Sequence, residues 1–170
     1  MPSTTIEAEK PSLTDAQNAA LQNGKPVTWE DQKITWTLPG DWKKISSTKN
    51  TFQYGSSNQA FLIGTISPVA DNFPLDVSLQ SYYDGAVQRR KNNEVEIARF
   101  LELDGIKGVE FIETNKEDTS EPRRHQWIGF RKYNGQIQML NIMLSTKSSN
   151  FEKNRDVFKA IMYSMGIDKY

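Results

Sequence analysis

The chain has 170 residues, of which 36% are apolar and 25% charged, and its 21 Lys plus Arg balance its 21 Asp plus Glu. That is the length and composition of one globular domain, and a zero net charge gives no whole-molecule field to draw it to nucleic acid. No cysteine and a single histidine exclude disulfides, thiolate nucleophiles and Cys- or His-cluster metal sites.

Residues 1–27 read as a flexible arm. They are rich in Ser, Thr, Glu, Gln and Asn, with Ile6, Leu13 and Leu21 as the large aliphatics. Within the arm, residues 12–23 predict a short helix, capped by Ser12 or Thr14 and stopped at Gly24. An arm of this kind ahead of a compact domain is what a cleaved secretory signal, with its lipid-bearing Cys, leaves behind. The expected location is therefore periplasmic or otherwise extracytoplasmic, the alternative being a cytoplasmic protein with a loose N-terminus.

The domain is expected over residues 28–170. Ile34, Trp36 and Leu38 alternate with threonines as a half-buried strand, and Pro39-Gly40-Asp41 breaks it before Trp42. Phe52 and Tyr54 mark a second strand. Residues 60–66 form a third, ended by Ser67-Pro68. Leu75, Leu79, Tyr82, Tyr83 and Ala86 then form one helical stripe, with Asp76 as cap and Arg89, Arg90 and Lys91 in the last turn. Gly85 inside that helix suggests a close helix-to-sheet approach. Two hairpins follow, turning at Asp104-Gly105 and Asn134-Gly135, both favoured two-residue type I′ turns.

The strands flanking Asn134-Gly135 carry apolar residues on both parities, which predicts a sheet covered on both faces. A C-terminal helix follows, with a capping box at Ser149-Asn150-Phe151-Glu152 and an apolar set of Phe151, Phe158, Ile161, Met162 and Met165. The expected fold class is α+β: a three-layer α/β/α sandwich around a central, mostly antiparallel sheet of six or seven strands.

The strings Leu38-Pro39-x-x-Trp42, Leu79-Gln80-Ser81-Tyr82-Tyr83 and Leu103-Asp104-Gly105, followed by residues 151–165 after the last strand, stand in an order that resembles the PsbP-like fold superfamily. The resemblance covers residues 29–168. It implies company with photosystem II accessory proteins, a Ran-binding import factor and bacterial secreted or lipoprotein relatives, most of them binding proteins, and it supplies no catalytic motif.

The chemistry visible in the chain is sparse. Nucleophile-elbow, P-loop, dinucleotide and zincin motifs are missing, so no catalytic residue, cofactor or metal is assigned. His125 shares a strand face with Arg123 and Trp127, and is expected to be a packed or solvated strand histidine. Glu110 with Glu113, and Glu117 with Asp118, lack the alternation of a calcium loop and read as solvated charges. The tentative binding residues are the cations Arg123, Arg124, Arg131 and Lys132, expected to form one patch, together with Trp29 and Trp42, expected at the surface. The patch would meet an acidic protein or an anionic membrane surface; its competing role is pairing with the acidic stretch 113–121.

The expected function is a non-enzymatic binding or assembly module, exported and tethered to a membrane, monomeric, with a protein partner and no nucleic acid. The alternatives are a small-molecule-binding or hydrolytic enzyme using carboxylates in a pocket beside the sheet, and a Ran-like GTPase-binding import factor.

Overall fold

The structure is a computed structural model and describes residues 6–167; the first five residues of the expected arm and the last three of the domain lie outside the described residues. Among these, helix α1 (Asp15–Ala20) precedes strands β1 (Lys25–Trp29), β2 (Ile34–Leu38), β3 (Lys43–Ser47), β4 (Thr51–Gly55) and β5 (Phe61–Val69). Helix α2 (Leu75–Lys91) leads into β6 (Val95–Leu103), β7 (Ile106–Glu113), β8 (Pro122–Tyr133) and β9 (Gln136–Lys147), and α3 (Ser148–Tyr163) and the short β10 (Gly166–Ile167) close the chain.

The central sheet has seven antiparallel strands in the order β3-β4-β5-β9-β8-β7-β6. Both hairpin turns form as their residues require: Asp104 and Gly105 have φ of 46° and 84°, Asn134 and Gly135 51° and 77°. Positive φ at both central residues is the type I′ geometry, which matches the twist of the strands it joins.

One face of the sheet carries the larger core. There α3 packs beside a small second sheet, β1-β2-β10, and α1 packs on α3. Trp29, Trp36, Phe52, Trp127, Phe151 and Phe158 fill the layer between. Trp29 lies over Gly64 of β5, where a side chain would crowd its ring, and its Nε1 donates to the Thr48 carbonyl at 2.7 Å. The opposite face carries a smaller core, in which Leu79 and Ala86 of α2 meet Ala98, Val109, Phe111, Ile128 and Phe130.

The α/β/α sandwich and its seven-stranded antiparallel sheet are as expected, and several details differ. The strand Ile34–Leu38 belongs to the second sheet, and β3 takes its place in the central one. The expected boundary between residues 27 and 28 falls inside β1, whose pairing with β2 begins at Lys25↔Leu38. The segment ahead of β1 makes contacts with the domain: Glu9 exchanges backbone hydrogen bonds with Phe100 and Glu102, and Gln17 donates to Asp156 at 3.2 Å. Helix α1 is capped by Thr14 in a reciprocal box with Gln17.

The other caps differ from expectation. Helix α2 begins after Pro74, with Asp76 inside its first turn. Helix α3 begins at Ser148 with no side-chain cap, because β9 runs straight into it and Glu152 is taken by arginines. A Cβ on Gly85 would meet open space, so no close approach explains that glycine.

Candidate functional site

Strand alternation divides β8 into two opposite sets. Arg123, His125, Trp127, Gly129 and Arg131 point toward α3 and the small sheet, whereas Arg124, Gln126, Ile128, Phe130 and Lys132 point toward α2. The four expected patch cations are therefore split between faces and between the two ends of one strand, and they do not converge.

Arg123 is 2% exposed. It bonds Glu96 at 3.0 Å, Glu152 at 2.9 Å and the Glu113 carbonyl at 2.6 Å, and stacks over the Phe151 ring. Arg155 joins Glu96 and Glu152 from α3, so four charges clasp β6, β8 and α3 together. The hydrogen bonds from Arg155 and then Arg123 hold the Glu152 carboxyl at about 2. At the other end Arg131 is equally buried, bonded to Gln32 and Gln138 and stacked on Tyr133. Trp29 and Trp42 are also buried, which corrects their expected exposure. Trp42 belongs to the same core cluster as Trp29, and neither ring offers a surface anchor.

Of the six expected binding residues, Arg124 and Lys132 remain at the surface. Arg124 is half-exposed beside Glu113, at 3.7 Å.

The expected solvated carboxylates Glu110 and Glu113 are buried in β7. Glu113 bonds Arg89 and Lys116, each at 3.1 Å, and accepts the Arg124 backbone N–H. Glu110 gathers a closed cluster from three other elements: Arg99 Nε of β6 at 2.6 Å, Tyr163 Oη of α3 at 2.6 Å and His125 Nε2 of β8 at 2.7 Å. Burial disfavours the Glu110 charge, but the hydrogen bond and charge of His125, the Tyr163 hydroxyl and Arg99 outweigh it and hold the carboxyl at about 2. Burial and the neighbouring carboxylate push the Tyr163 hydroxyl up. Beside this cluster a cavity of about 290 Å³ opens between α1, α3 and the sheet, bordered by Ser12, Gln17, Arg99, Lys159 and Tyr163.

On the α2 side the sheet is only half covered. Helix α2 packs mainly on β6 and β7, and its Tyr82 reaches farther, the hydroxyl contacting Met139 and the ring meeting Phe130. Beyond it run two cross-strand rows, Lys43–Gly55–Phe61–Ser145–Arg124 and Ser46–Gln53–Ile63–Met143–Gln126, half-buried or exposed except at Ser145, which lies in a hollow shared with Ser120 and Pro122. Ile45 is 56% and Phe61 36% exposed, and the two side chains meet over Gly55, where a Cβ would crowd both. Ile63 and Met143 are half-buried beside them. Apolar residues on both parities of β9 signalled two covers, yet Met143 and Ile137 lie on a face that α2 does not span.

No protein-family model matches the chain, and no curated protein matches it in sequence. Solved structures do. LpqN, involved in cell envelope biogenesis of Mycobacterium tuberculosis, superposes with a TM-score of 0.60 at 14% identity, over 92% of this chain and 98% of that one. Cyanobacterial PsbP (CyanoP) from Synechocystis sp. PCC 6803 gives 0.51 at 11% identity, over 85% and 92%. The Saccharomyces cerevisiae Ran-binding protein Mog1p gives 0.49 at 10% identity, over 85% and 95%, too low to bear on function. The half-covered seven-stranded sheet, backed by α3 and a small second sheet, is the PsbP-like fold.

Proposed function

We propose that the chain is a non-enzymatic binding or assembly module that docks a protein partner on the uncovered half of its central sheet. The observation that carries this reading is the exposure of Ile45 and Phe61, contiguous with Ile63 and Met143 across paired strands. Contiguous exposed apolar surface on a folded domain commonly marks an interaction site.

The hydrolytic alternative needs a carboxylate free to take a proton. Glu110, which borders the cavity, has both oxygens engaged by Arg99, His125 and Tyr163, and a carboxyl held at about 2 is a weak base at neutral pH. A photoreactive phenylalanine analogue at position 63 tests the docking reading in the native cell. Adducts with a protein at this position, and none from an analogue placed at exposed Gln88 on α2, are expected; no adduct at position 63 refutes it.

The proposal extends to location: the module works outside the cytoplasm, held near a membrane by the segment ahead of α1. The polar, weakly apolar composition of that segment is its support. Fractionation of cells carrying the intact gene product tests it, and recovery in the cytoplasm refutes export while leaving the docking reading in place.

A further inference from the structure

The cavity between α1, α3 and the sheet lies on the face opposite the docking strip and has a chemistry of its own. Its walls include the cross-strand pair Arg99 and Glu110, and the neighbouring pair Ile97 and Ile112 adds an apolar side. Lys159 stands on α3 one turn before Tyr163, so both side chains border the same hollow. Ser12 and Thr14 close it from the segment ahead of β1. Its volume of about 290 Å³ is just under the roughly 300–1,000 Å³ of sites for drug-sized ligands, which suits a compact molecule.

Charge in this cavity is unevenly matched. Glu110 has both oxygens occupied, Oε1 by Arg99 Nε at 2.6 Å and Oε2 by Tyr163 and His125, so its charge and that of Arg99 offset each other. Lys159 is half-buried and makes no hydrogen bond or ion pair among the described residues. Taking an ammonium part-way out of water without a counter-charge is unfavourable, and an anion in the cavity relieves it.

Arg99 also has donors to spare. Nε serves Glu110 and Nη2 serves the Tyr163 hydroxyl at 2.8 Å, whereas Nη1 meets only the Glu9 carboxylate at 3.7 Å, beyond hydrogen-bond distance and from a side chain that is 64% exposed. Thr14 Oγ1 accepts the Gln17 N–H and keeps its own hydrogen to donate. Of the carboxylates near the cavity, Asp156 is held by Gln17 at the rim, and Glu9 is the one that faces a donor it does not reach.

We propose that this cavity binds a small monocarboxylate with a short apolar body, the carboxylate between Lys159 and Arg99 Nη1 and the body against Ile97 and Ile112. The planar guanidinium suits a carboxylate, and one negative charge matches the one wall cation left over after Arg99 is set against Glu110. A dianion would be opposed by Glu110, Asp156 and Glu9. Glu9 is then the chain's own competitor for Arg99, and a ligand that displaces its side chain joins Ser12 and Thr14 to the domain.

Butyrate is the probe, titrated at constant ionic strength into the isotope-labelled full chain and followed by backbone amide and isoleucine methyl shifts. Butyramide, succinate and inorganic phosphate are the comparisons. Butyrate is expected to give saturable shifts at residues 12–17, Ile97, Ile112 and Lys159, and to bind at least tenfold more tightly than each of the other three. Lys159→Met is expected to weaken it at least tenfold with unchanged thermal unfolding, Lys159→Arg to retain it, and Glu9→Gln to tighten it.

The absence of saturable shifts, shifts confined to other surfaces, or equal binding of butyramide would each overturn the inference. So would a preference for succinate or phosphate, undiminished binding in Lys159→Met, or loss of binding in Lys159→Arg. Weaker binding in Glu9→Gln would overturn it too, because Glu9 would then support the occupied cavity in place of competing for it.

Discussion

The indole of Trp127 lies across Gly108 of the neighbouring strand, on a site where any added Cβ would overlap its ring. Gly129, paired with Gly108 across β7 and β8, closes the same slot, and the Trp127 Nε1 donates to the Leu101 carbonyl at 3.0 Å. Gly108→Ala forces a large buried ring off its seat, and overpacking of that kind costs about 1–3 kcal/mol. Urea denaturation is expected to show a lower midpoint with an unchanged slope. A variant as stable as the parent would mean that the ring shifts freely.

Gly85 is the opposite case. It sits inside α2 with open space around its missing side chain and an ordinary helical conformation. Gly85→Ala is expected to stabilise the domain by about 0.5–1 kcal/mol, through lower backbone entropy in the unfolded chain. Thermal unfolding measures it, and a lowered melting temperature would contradict the open surroundings.

The two glycines show how far the chain could be read in advance. Local signals were legible: Asp104-Gly105 and Asn134-Gly135 define their hairpins through left-handed backbone, and Thr14, one of two candidate caps, caps α1. Long-range pairings were not. Glu110 looks like any strand carboxylate until β6, β8 and α3 bring Arg99, His125 and Tyr163 to it. Trp29 beside charged residues looks exposed until β5 supplies Gly64 as its seat. Strand β3 went unseen because Lys43-Lys44-Ile45 has no alternation, a bulge interrupting its register between Lys44 and Ser46. The basic run of β8 suggested a patch because its spacing in sequence concealed that alternate residues face opposite layers.

Arg123 and Lys132 therefore separate structural from surface charge. Removing Arg123 leaves Glu96 and Glu152 with Arg155 as their remaining counter-charge and takes the nearer of two guanidinium groups from the Phe151 ring. Breaking a buried pair from one side typically costs about 3–5 kcal/mol; because both carboxylates here reach solvent, the loss for Arg123→Met is expected near about 2–3 kcal/mol. Lys132→Met, at an exposed position, is expected to fall within about 0.5 kcal/mol. Equal effects on denaturation would remove the distinction.

The Glu110 cluster predicts acid sensitivity of definite sign. Its carboxyl is held at about 2 in the folded chain, below the ordinary carboxylate value, so it contributes stability that is fully present above about pH 4.5 and lost as pH falls through about 2. Tyr163→Phe deletes one of the hydrogen bonds to the ionised form while keeping the ring against His125. The folded carboxyl then rises toward its ordinary value and the stabilisation above it shrinks. Acid titration followed by tryptophan fluorescence is expected to give a midpoint at higher pH for the variant, and an unmoved midpoint would show that Arg99 and His125 alone hold the charge.

The segment ahead of β1 offers the last test. Its described contacts include the Glu9 backbone pairing with β6, the Gln17–Asp156 bond, the Lys107 ammonium on the Ile6 carbonyl, ion pairs of Glu9 with Arg99 and of Lys10 with Glu102, and the packing of α1 on α3. These are peripheral to both core clusters, to which the segment adds only Leu21 and Ile6 as half-buried residues. A neutral hydrogen bond contributes a net ~0.5–1.5 kcal/mol, the partly exposed bonds to the Lys107 ammonium and the Asp156 carboxylate are screened by solvent, and partial burial of two aliphatic side chains adds about 1 kcal/mol. A chain beginning at Gly24 is therefore expected to fold cooperatively with the same sheet, at a stability lower by about 2–4 kcal/mol. It is also expected to lose the amide protection of Glu102, whose N–H donates to the Glu9 carbonyl at 2.8 Å. Undiminished protection at Glu102 would mean that β6 keeps its edge without the segment, and failure to fold would make residues 6–23 an integral part of the domain.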